Sequence, residues 1–119
     1  MALAQTNLGA ITQILSGAAA TVYVVGSAKT TYVKSFLIHS LNNTATQNAE
    51  VYIVPNNSGA VGTASSVNRI AKLGIGTADT YFFECTYPIT LVANNDTIQV
   101  KNTLGDDAIN VIILGDKEA

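Results

Sequence analysis

The chain has 119 residues, a length that allows one domain, and a net charge of −2. Its charged fraction is only 12%, about half of the usual ~25%, and its six basic residues form no run, which argues against a nucleic-acid partner. A charge-poor surface repels neighbours weakly, so the composition indicates self-association or assembly.

The first residues lack the features of a signal peptide or a membrane span. No basic side chain precedes Lys29, and polar residues interrupt the apolar stretch before it. A single cysteine, Cys85, excludes an internal disulfide and fits synthesis in a reducing cytoplasm. We therefore expect a soluble, non-secreted protein with no membrane partner.

Residues 1–19 fit a strand pattern poorly, and their apolar side chains would form a short amphipathic turn or an arm on a neighbouring molecule. We predict the N-terminal arm, because so short a helix gains little stability alone. Over residues 20–119, short runs of Val, Ile, Tyr, Phe and Thr alternate with clusters of Gly, Asn, Ser and Asp, which indicates strands and turns. Strands are predicted at 20–25, 31–41, 48–54, 67–73, 79–86, 89–92, 96–102 and 108–114.

These eight short strands predict an all-β fold, a single-domain antiparallel β-sandwich. Three of them (31–41, 79–86 and 108–114) carry apolar residues on both faces, although a sandwich buries only one face of each sheet. We expect the other face to meet a partner. The candidate subunit or capsid interface consists of Tyr32, Phe36, Ile38, Tyr52, Phe82, Ile112 and Leu114.

The stretch TTYVKSFLIHSL (30–41) is the clearest case of a strand with two apolar faces. Regular alternation places Tyr32, Phe36 and Ile38 on one face, and Val33 and Leu37 on the other. One face should fill the sandwich and the other should meet a sister subunit or a capsid.

The sequence contains no convincing catalytic or metal-binding pattern. His39 is the only histidine and has no acidic cluster beside it, and the residues around Cys85 lack the turn or helix start that would activate a thiol. LGIGTADT (73–80) has two of the three glycines of a dinucleotide fingerprint without a following helix, so it predicts a turn. We predict a non-enzymatic protein with no cofactor and no metal.

Three loops are also informative. The acidic stretches NND (94–96) and GDD (105–107) lack the alternating oxygen ligands of a calcium loop, and Asp96 is expected to accept hydrogen bonds from its own turn. PNNSGAVGTASS (55–66) fits either a binding loop or a long connection between the sheets, and the sequence leaves both open.

Four stretches together resemble one protein family. They are GSAKTTYVKSFLIHSLNNT, EVYIVPNNSGAVGTASSVNRI, YPITLVANNDTIQVKN and INVIILGDKE. Their Lys-Thr, Tyr-Ile-Val-Pro, Asn-Arg-Ile and Asp-Thr-Ile signatures are similar to those of the capsid cement, or decoration, proteins of tailed bacteriophages, including short-tailed cyanophages. The resemblance spans about residues 20–118. It departs from the family at Gly26-Ser27-Ala28, where Pro-Ala-Gly is common, and at Asn95, where Gly is common; asparagine reaches the left-handed region better than other non-glycine residues.

The resemblance implies a jelly-roll-like sandwich that forms a homotrimer over junctions of the major capsid protein. The protein would be made in the bacterial host cytoplasm and reside on the capsid surface of the virion. Similar sandwiches occur in tail and fibre proteins. The alternative is therefore a tail, fibre or head-fibre module that binds a host surface or glycan through loops such as 55–66.

Overall fold

The computed structural model describes residues 3–8, 11–15, 17–103 and 108–118, and these form nine strands in two antiparallel sheets. The predicted all-β antiparallel sandwich is confirmed. One 3₁₀ turn (Ser66–Asn68) is the only helical element of the described residues, and none of their helices is long and apolar enough to cross a membrane. The strands are β1 (Leu3–Asn7), β2 (Thr12–Ile14), β3 (Ala20–Val24), β4 (Thr31–Ser40), β5 (Gln47–Val54), β6 (Arg69–Ile75), β7 (Thr80–Leu91), β8 (Thr97–Asn102) and β9 (Ile109–Glu118).

The strands pair in the nested order of a rolled-up hairpin. Strand β5 pairs with β6, β4 with β7, β3 with β8, and β2 with β9. Rolling this ladder gives sheet A, in the order β1-β9-β4-β7 with β2 also on β9, and sheet B, in the order β3-β8-β5-β6. This is the jelly-roll arrangement of eight strands, to which β1 is added.

The core lies between the two sheets and is built from aliphatic and aromatic side chains. Phe36 stacks on Phe83 with 4.8 Å between ring centroids, which joins β4 and β7 inside sheet A. From sheet B, Val51 and Val100 lie opposite each other and are fully buried. Because side chains alternate between the two faces of a strand, the residues of sheet A that point into this core leave their neighbours on the outer face.

A β-bulge in β4 decides which of its side chains face outward. Between Val33 and Ser35 the register shifts against both β7 and β9, so Lys34 is an extra residue that interrupts the alternation. Phe36 and Ile38 therefore join Val33 in the core, at 2% and 0% exposure. The prediction that these two residues share a face with Tyr32 is wrong, because it assumed an unbroken alternation.

Gly115 of β9 makes the bulge possible. A Cβ atom at this position would overlap the carbonyl oxygen of Tyr32 and lie 3.1 Å from the backbone nitrogen of Lys34. Only glycine lets the two backbones approach so closely here.

Strand β7 replaces two of the predicted strands. Its pairing with β4 jumps from Glu84 to Ile89, while β4 advances only from Ser35 to Val33. Residues 85–88 thus form a wide bulge that includes Pro88, which cannot donate to a ladder. The sequence predicted separate strands at 79–86 and 89–92, but after the bulge the chain returns to the same ladder.

The N-terminal segment forms strands rather than an amphipathic turn. Leu3–Asn7 and Thr12–Ile14 both pair with β9, and Leu8 and Ile14 are buried. In this structure the described part of residues 1–19 therefore lies on the chain's own sheet A. Its placement as an arm on a neighbouring molecule stays a prediction.

Candidate interaction surface

The outer face of sheet A carries a row of apolar side chains that no other part of the described chain covers completely. Leu37 of β4 lies directly between Phe82 of β7 and Ile112 of β9 in the strand register. Phe82 is 54% exposed, and Ile11, just before β2, is 65% exposed. We call these four residues, Ile11, Leu37, Phe82 and Ile112, the apolar face.

A shallow depression of about 240 Å³ lies within the apolar face. Ile11, Leu37 and Ile112 line it together with His39, Thr80, Asn110 and Val111. None of these lining side chains carries a carboxylate or an ammonium group. The depression is thus suited to an apolar, uncharged contact and not to an ionic ligand.

The predicted interface residues fall into three groups in the structure. Phe82 and Ile112 belong to the apolar face, and the half-buried Tyr32 and Leu114 lie outward on the same sheet. Phe36 and Ile38 lie in the core and are unavailable to a partner of the folded chain, and Tyr52 lies on sheet B with 6% exposure. Sequence reasoning missed Ile11 and Leu37, because it treated the first as part of an arm and placed the second on the inner face.

His39 and Cys85 do not form a catalytic pair. The Nδ1 atom of His39 lies 2.9 Å from the hydroxyl of Thr80, which is its neighbour across the ladder. Cys85 is five residues further along β7, about 16 Å at the rise of an extended strand. Burial raises the pKa of the Cys85 thiol, which lowers the fraction of reactive thiolate.

Acidic side chains form no metal cluster in the part of the chain that the structure describes. Asp96 instead binds two loops, as its Oδ1 accepts from the Asn56 backbone at 2.8 Å and its Oδ2 accepts from the Ala93 backbone at 3.3 Å. The predicted role of Asp96 in its own turn is confirmed. The GDD stretch (105–107) lies outside the described residues.

An ion pair lies near the bulge on the outer face of sheet A. The Lys34 ammonium is 2.6 Å from Oδ2 of Asp116, a residue with 7% exposure. Among the described residues, no donor reaches the buried Oδ1 atom of Asp116. The bulge residue therefore supplies the cation that keeps this carboxylate paired.

Sheet B carries a hydrogen-bonded cluster of three polar side chains. The hydroxyl of Tyr52 donates to Glu50 Oε1 at 2.6 Å, and Arg69 donates to Glu50 Oε2 at 2.8 Å. These contacts, the tyrosine hydrogen bond foremost, lower the pKa of Glu50 although burial opposes them; the same hydrogen bond and burial raise the pKa of Tyr52. The Tyr52 side chain is thus buried and hydrogen-bonded within the subunit.

The 55–66 loop connects β5 and β6, two neighbours within sheet B, and not two different sheets. Three side chains outside the loop fasten it: Asp96 accepts from the Asn56 backbone and side chain at 2.8 and 3.3 Å, Asn95 Nδ2 donates to the Gly59 carbonyl at 2.7 Å, and Gln99 Nε2 donates to the Gly62 carbonyl at 3.0 Å. Its tip, residues 57–61, stays exposed. The loop is an ordered connection that presents a polar tip.

The comparisons with known proteins add no family. Neither the protein-family models nor the curated proteins searched give a match to this sequence. The fold and the surface define a jelly-roll sandwich in which sheet A carries the apolar face, and the functional conclusion depends on that face.

Proposed function

We propose that this chain is a structural, non-enzymatic phage virion protein that binds the outside of a capsid as a cement or decoration protein. The observation that carries the proposal is the apolar face, where Ile11 and Phe82 are exposed and Leu37 and Ile112 are half-buried, although the protein has its own hydrophobic core. Exposed apolar side chains that lie together, with polar residues around them, mark protein–protein contact sites. The resemblance described above supplies the class of partner, the major capsid protein.

The contact energies fit a protein that acts in many copies. Full burial of an exposed apolar side chain contributes about 1.5–3 kcal/mol, and the partly buried side chains of the apolar face contribute less, whereas association costs about 4–15 kcal/mol or more. One such patch gives a modest affinity. Repetition over a symmetric shell, and homotrimers that engage several patches at once, turn modest contacts into stable attachment.

Shell binding with a matched pair of variants tests the proposal. Empty shells of the major capsid protein encoded in the same genome are mixed with the purified protein and sedimented. Ile11→Lys places a charge on the apolar face, and Val67→Lys places the same charge on the 3₁₀ turn, where Val67 is 88% exposed. We expect at least a tenfold loss of binding for Ile11→Lys and wild-type binding for Val67→Lys.

Two outcomes would contradict this proposal in different ways. If the wild-type protein does not bind the shells, the cement function is wrong. If Ile11→Lys binds as tightly as Val67→Lys, the cement function stands but the apolar face is not the contact.

The second candidate function is a tail, fibre or head-fibre module that binds a host surface or a glycan. The ordered 55–66 loop favours it, because its fastened ends present an exposed polar tip at low entropic cost. A glycan array probed with the purified protein tests this function. Reproducible binding that is lost on replacing Asn57 and Ser58 by alanine would support it, and a blank array would count against it.

A further inference from the structure

We propose that β7 pairs edge to edge with β7 of a second copy of this chain, so that sheet A continues across a two-fold axis. The pairing is a property of the isolated protein, and it does not depend on the capsid function or on the number of subunits proposed above. It rests on the backbone of β7, on the side chains between Thr80 and Glu84, and on the apolar face.

The ladder geometry shows which backbone groups of β7 point away from β4. The backbone nitrogen of Ser40 donates to the carbonyl of Asp79 at 2.9 Å, so residues 40 and 79 form a hydrogen-bonded pair. Such pairs alternate along an antiparallel ladder, which makes Ile38 with Tyr81 the next one. The backbone groups of residues 80, 82 and 84 therefore point outward from the edge of sheet A.

Two of the three outward donors lack an intramolecular acceptor among the described residues. The backbone nitrogen of Thr80 donates to its neighbour Asp79 at 2.8 Å. Strand β7 is the last strand of sheet A, and no strand of the described residues pairs with its other side. Phe82 and Glu84 thus present free donors at an open edge.

One register satisfies these donors in both copies. With Phe82 opposite Phe82 of the partner subunit, each Phe82 nitrogen meets the other Phe82 carbonyl. Each Glu84 nitrogen then meets the carbonyl of Thr80 of the partner subunit, so four hydrogen bonds form. Glu84 lies opposite a threonine and not opposite another carboxylate, which avoids the like-charge pair that a register centred on Glu84 would create.

Residues 80–83 of this edge contain none of the residues that usually protect an edge against pairing. Native edges are blunted by lysine, proline, bulges or short length. Strand β6, the neighbouring edge of sheet B, carries Arg69 and Lys72, and β3 has only five residues and a register shift. Residues 80–83 of β7 read TYFF, with high strand propensity and no charge, and the wide bulge begins only after Glu84.

The pairing would also bury the exposed end of the apolar face. The row Ile112, Leu37 and Phe82 runs across β9, β4 and β7 and ends at the open edge with the half-exposed Phe82 ring. In the two-fold arrangement the row continues directly into Phe82 of the partner subunit. The apolar band becomes twice as long, and the edge rings cover each other.

The mass of the protein in solution tests the pairing. Light scattering behind a sizing column, at protein concentrations from about 10 μM to 1 mM, covers dissociation constants of that range. It compares wild type with Phe82→Lys and with the matched control Val67→Lys. At high concentration we expect the wild type and the control to reach twice the mass of Phe82→Lys, with the dissociation constant of that variant raised at least tenfold. If the pairing unit is the proposed trimer, with three β7 edges, the mass of wild type and control should be at least twice that of Phe82→Lys. Equal masses for wild type and Phe82→Lys over the whole range would overturn the proposal.

Cysteine cross-linking tests the register without altering Phe82. In a Cys85→Ser background, Thr80→Cys and Glu84→Cys are mixed under mild oxidation, since hydrogen-bonded pairs have the Cα separation of about 5.5 Å that a disulfide needs. We expect cross-linked dimers in the mixture and at least fivefold less in either variant alone. Equal cross-linking in the mixture and in each variant alone, or none in the mixture, would overturn this register.

Discussion

Replacement of Gly115 by alanine should destabilise the sandwich strongly. The added Cβ would overlap the Tyr32 carbonyl and crowd the Lys34 nitrogen at 3.1 Å. Both contacts are backbone atoms of the β4 bulge, so no side-chain rotation relieves them. The strands β4 and β9 must separate locally, at the point where the register shifts.

The magnitude follows from what the separation breaks. About two ladder hydrogen bonds, at roughly 1 kcal/mol net each, and about 1 kcal/mol of residual overlap give a loss of about 3 kcal/mol. For a chain of 119 residues this corresponds to a fall in Tm of roughly 10 °C. Thermal unfolding followed by circular dichroism measures it.

The matched control is Gly74→Ala on the edge strand β6. There the added Cβ would meet only side-chain atoms, at 3.7 and 4.0 Å, which is ordinary contact. We expect a change below about 0.5 kcal/mol at such an exposed site. A Gly115→Ala variant as stable as Gly74→Ala would refute the bulge geometry and, with it, the assignment of outward and inward residues on β4.

Three further predictions concern single side chains. Ala28 has a φ of 55°, so Ala28→Gly should raise the free energy of unfolding by about 0.5–1 kcal/mol, measured by urea titration; a decrease would contradict the turn geometry. Glu50→Gln should cost about 1–2 kcal/mol at pH 7 through the weakened contacts to Tyr52 and Arg69. The pKa of Glu50 is lowered in the folded state, so the contribution of its carboxylate to the free energy of unfolding is complete above the unfolded pKa near 4.5 and is lost as the pH falls through the folded value. The difference in stability between wild type and Glu50→Gln should therefore shrink on acidification. A difference that grows below pH 4 would contradict this. Since burial raises the pKa of Cys85, its alkylation by iodoacetamide at pH 8 should be at least several-fold slower in the native protein than in urea, and equal rates would contradict its burial.

Local residue patterns were sufficient to predict the sandwich. Runs of β-branched and aromatic residues with polar turns predicted β3, β4, β5 and β8 to within about two residues at each end, which is the usual uncertainty of strand ends. The left-handed conformation expected at Asn95 is also present, with a φ of 66°. These features depend on residues that are adjacent in the chain, so a single sequence is sufficient to predict them.

The errors arise where contacts distant in sequence decide the structure. The extra residue Lys34 shifts β4 by one position only because Gly115, 81 positions later in the sequence, leaves room for the bulge. The pairing of Leu3–Asn7 likewise depends on β9 at the other end of the chain. Neither strand alone has a pattern that reveals its partner.

Contacts that the sequence does not reveal also explain the errors in the predicted interface residues. Phe82 and Ile112 were found from their apolar character, but Leu37 was placed on the wrong face by the undetected bulge. Tyr52 is apolar enough to suggest an interface, yet a hydrogen bond to Glu50 retains it within the subunit. A strand with apolar residues on both faces therefore indicates either a partner or a register shift. In β4 the register shift explains the burial of Phe36 and Ile38, and a partner would explain the outward position of Leu37.

The thermal disruption of shells tests the cement function most directly. Shells of the encoded major capsid protein are saturated with this protein, the bound amount per capsid subunit is measured, and the disruption temperature is compared with that of bare shells. We expect a fixed ratio of bound protein to capsid subunit and a higher disruption temperature that returns to the bare value with the binding-deficient Ile11→Lys. Binding without a fixed ratio, or saturation that leaves the disruption temperature unchanged, would contradict it.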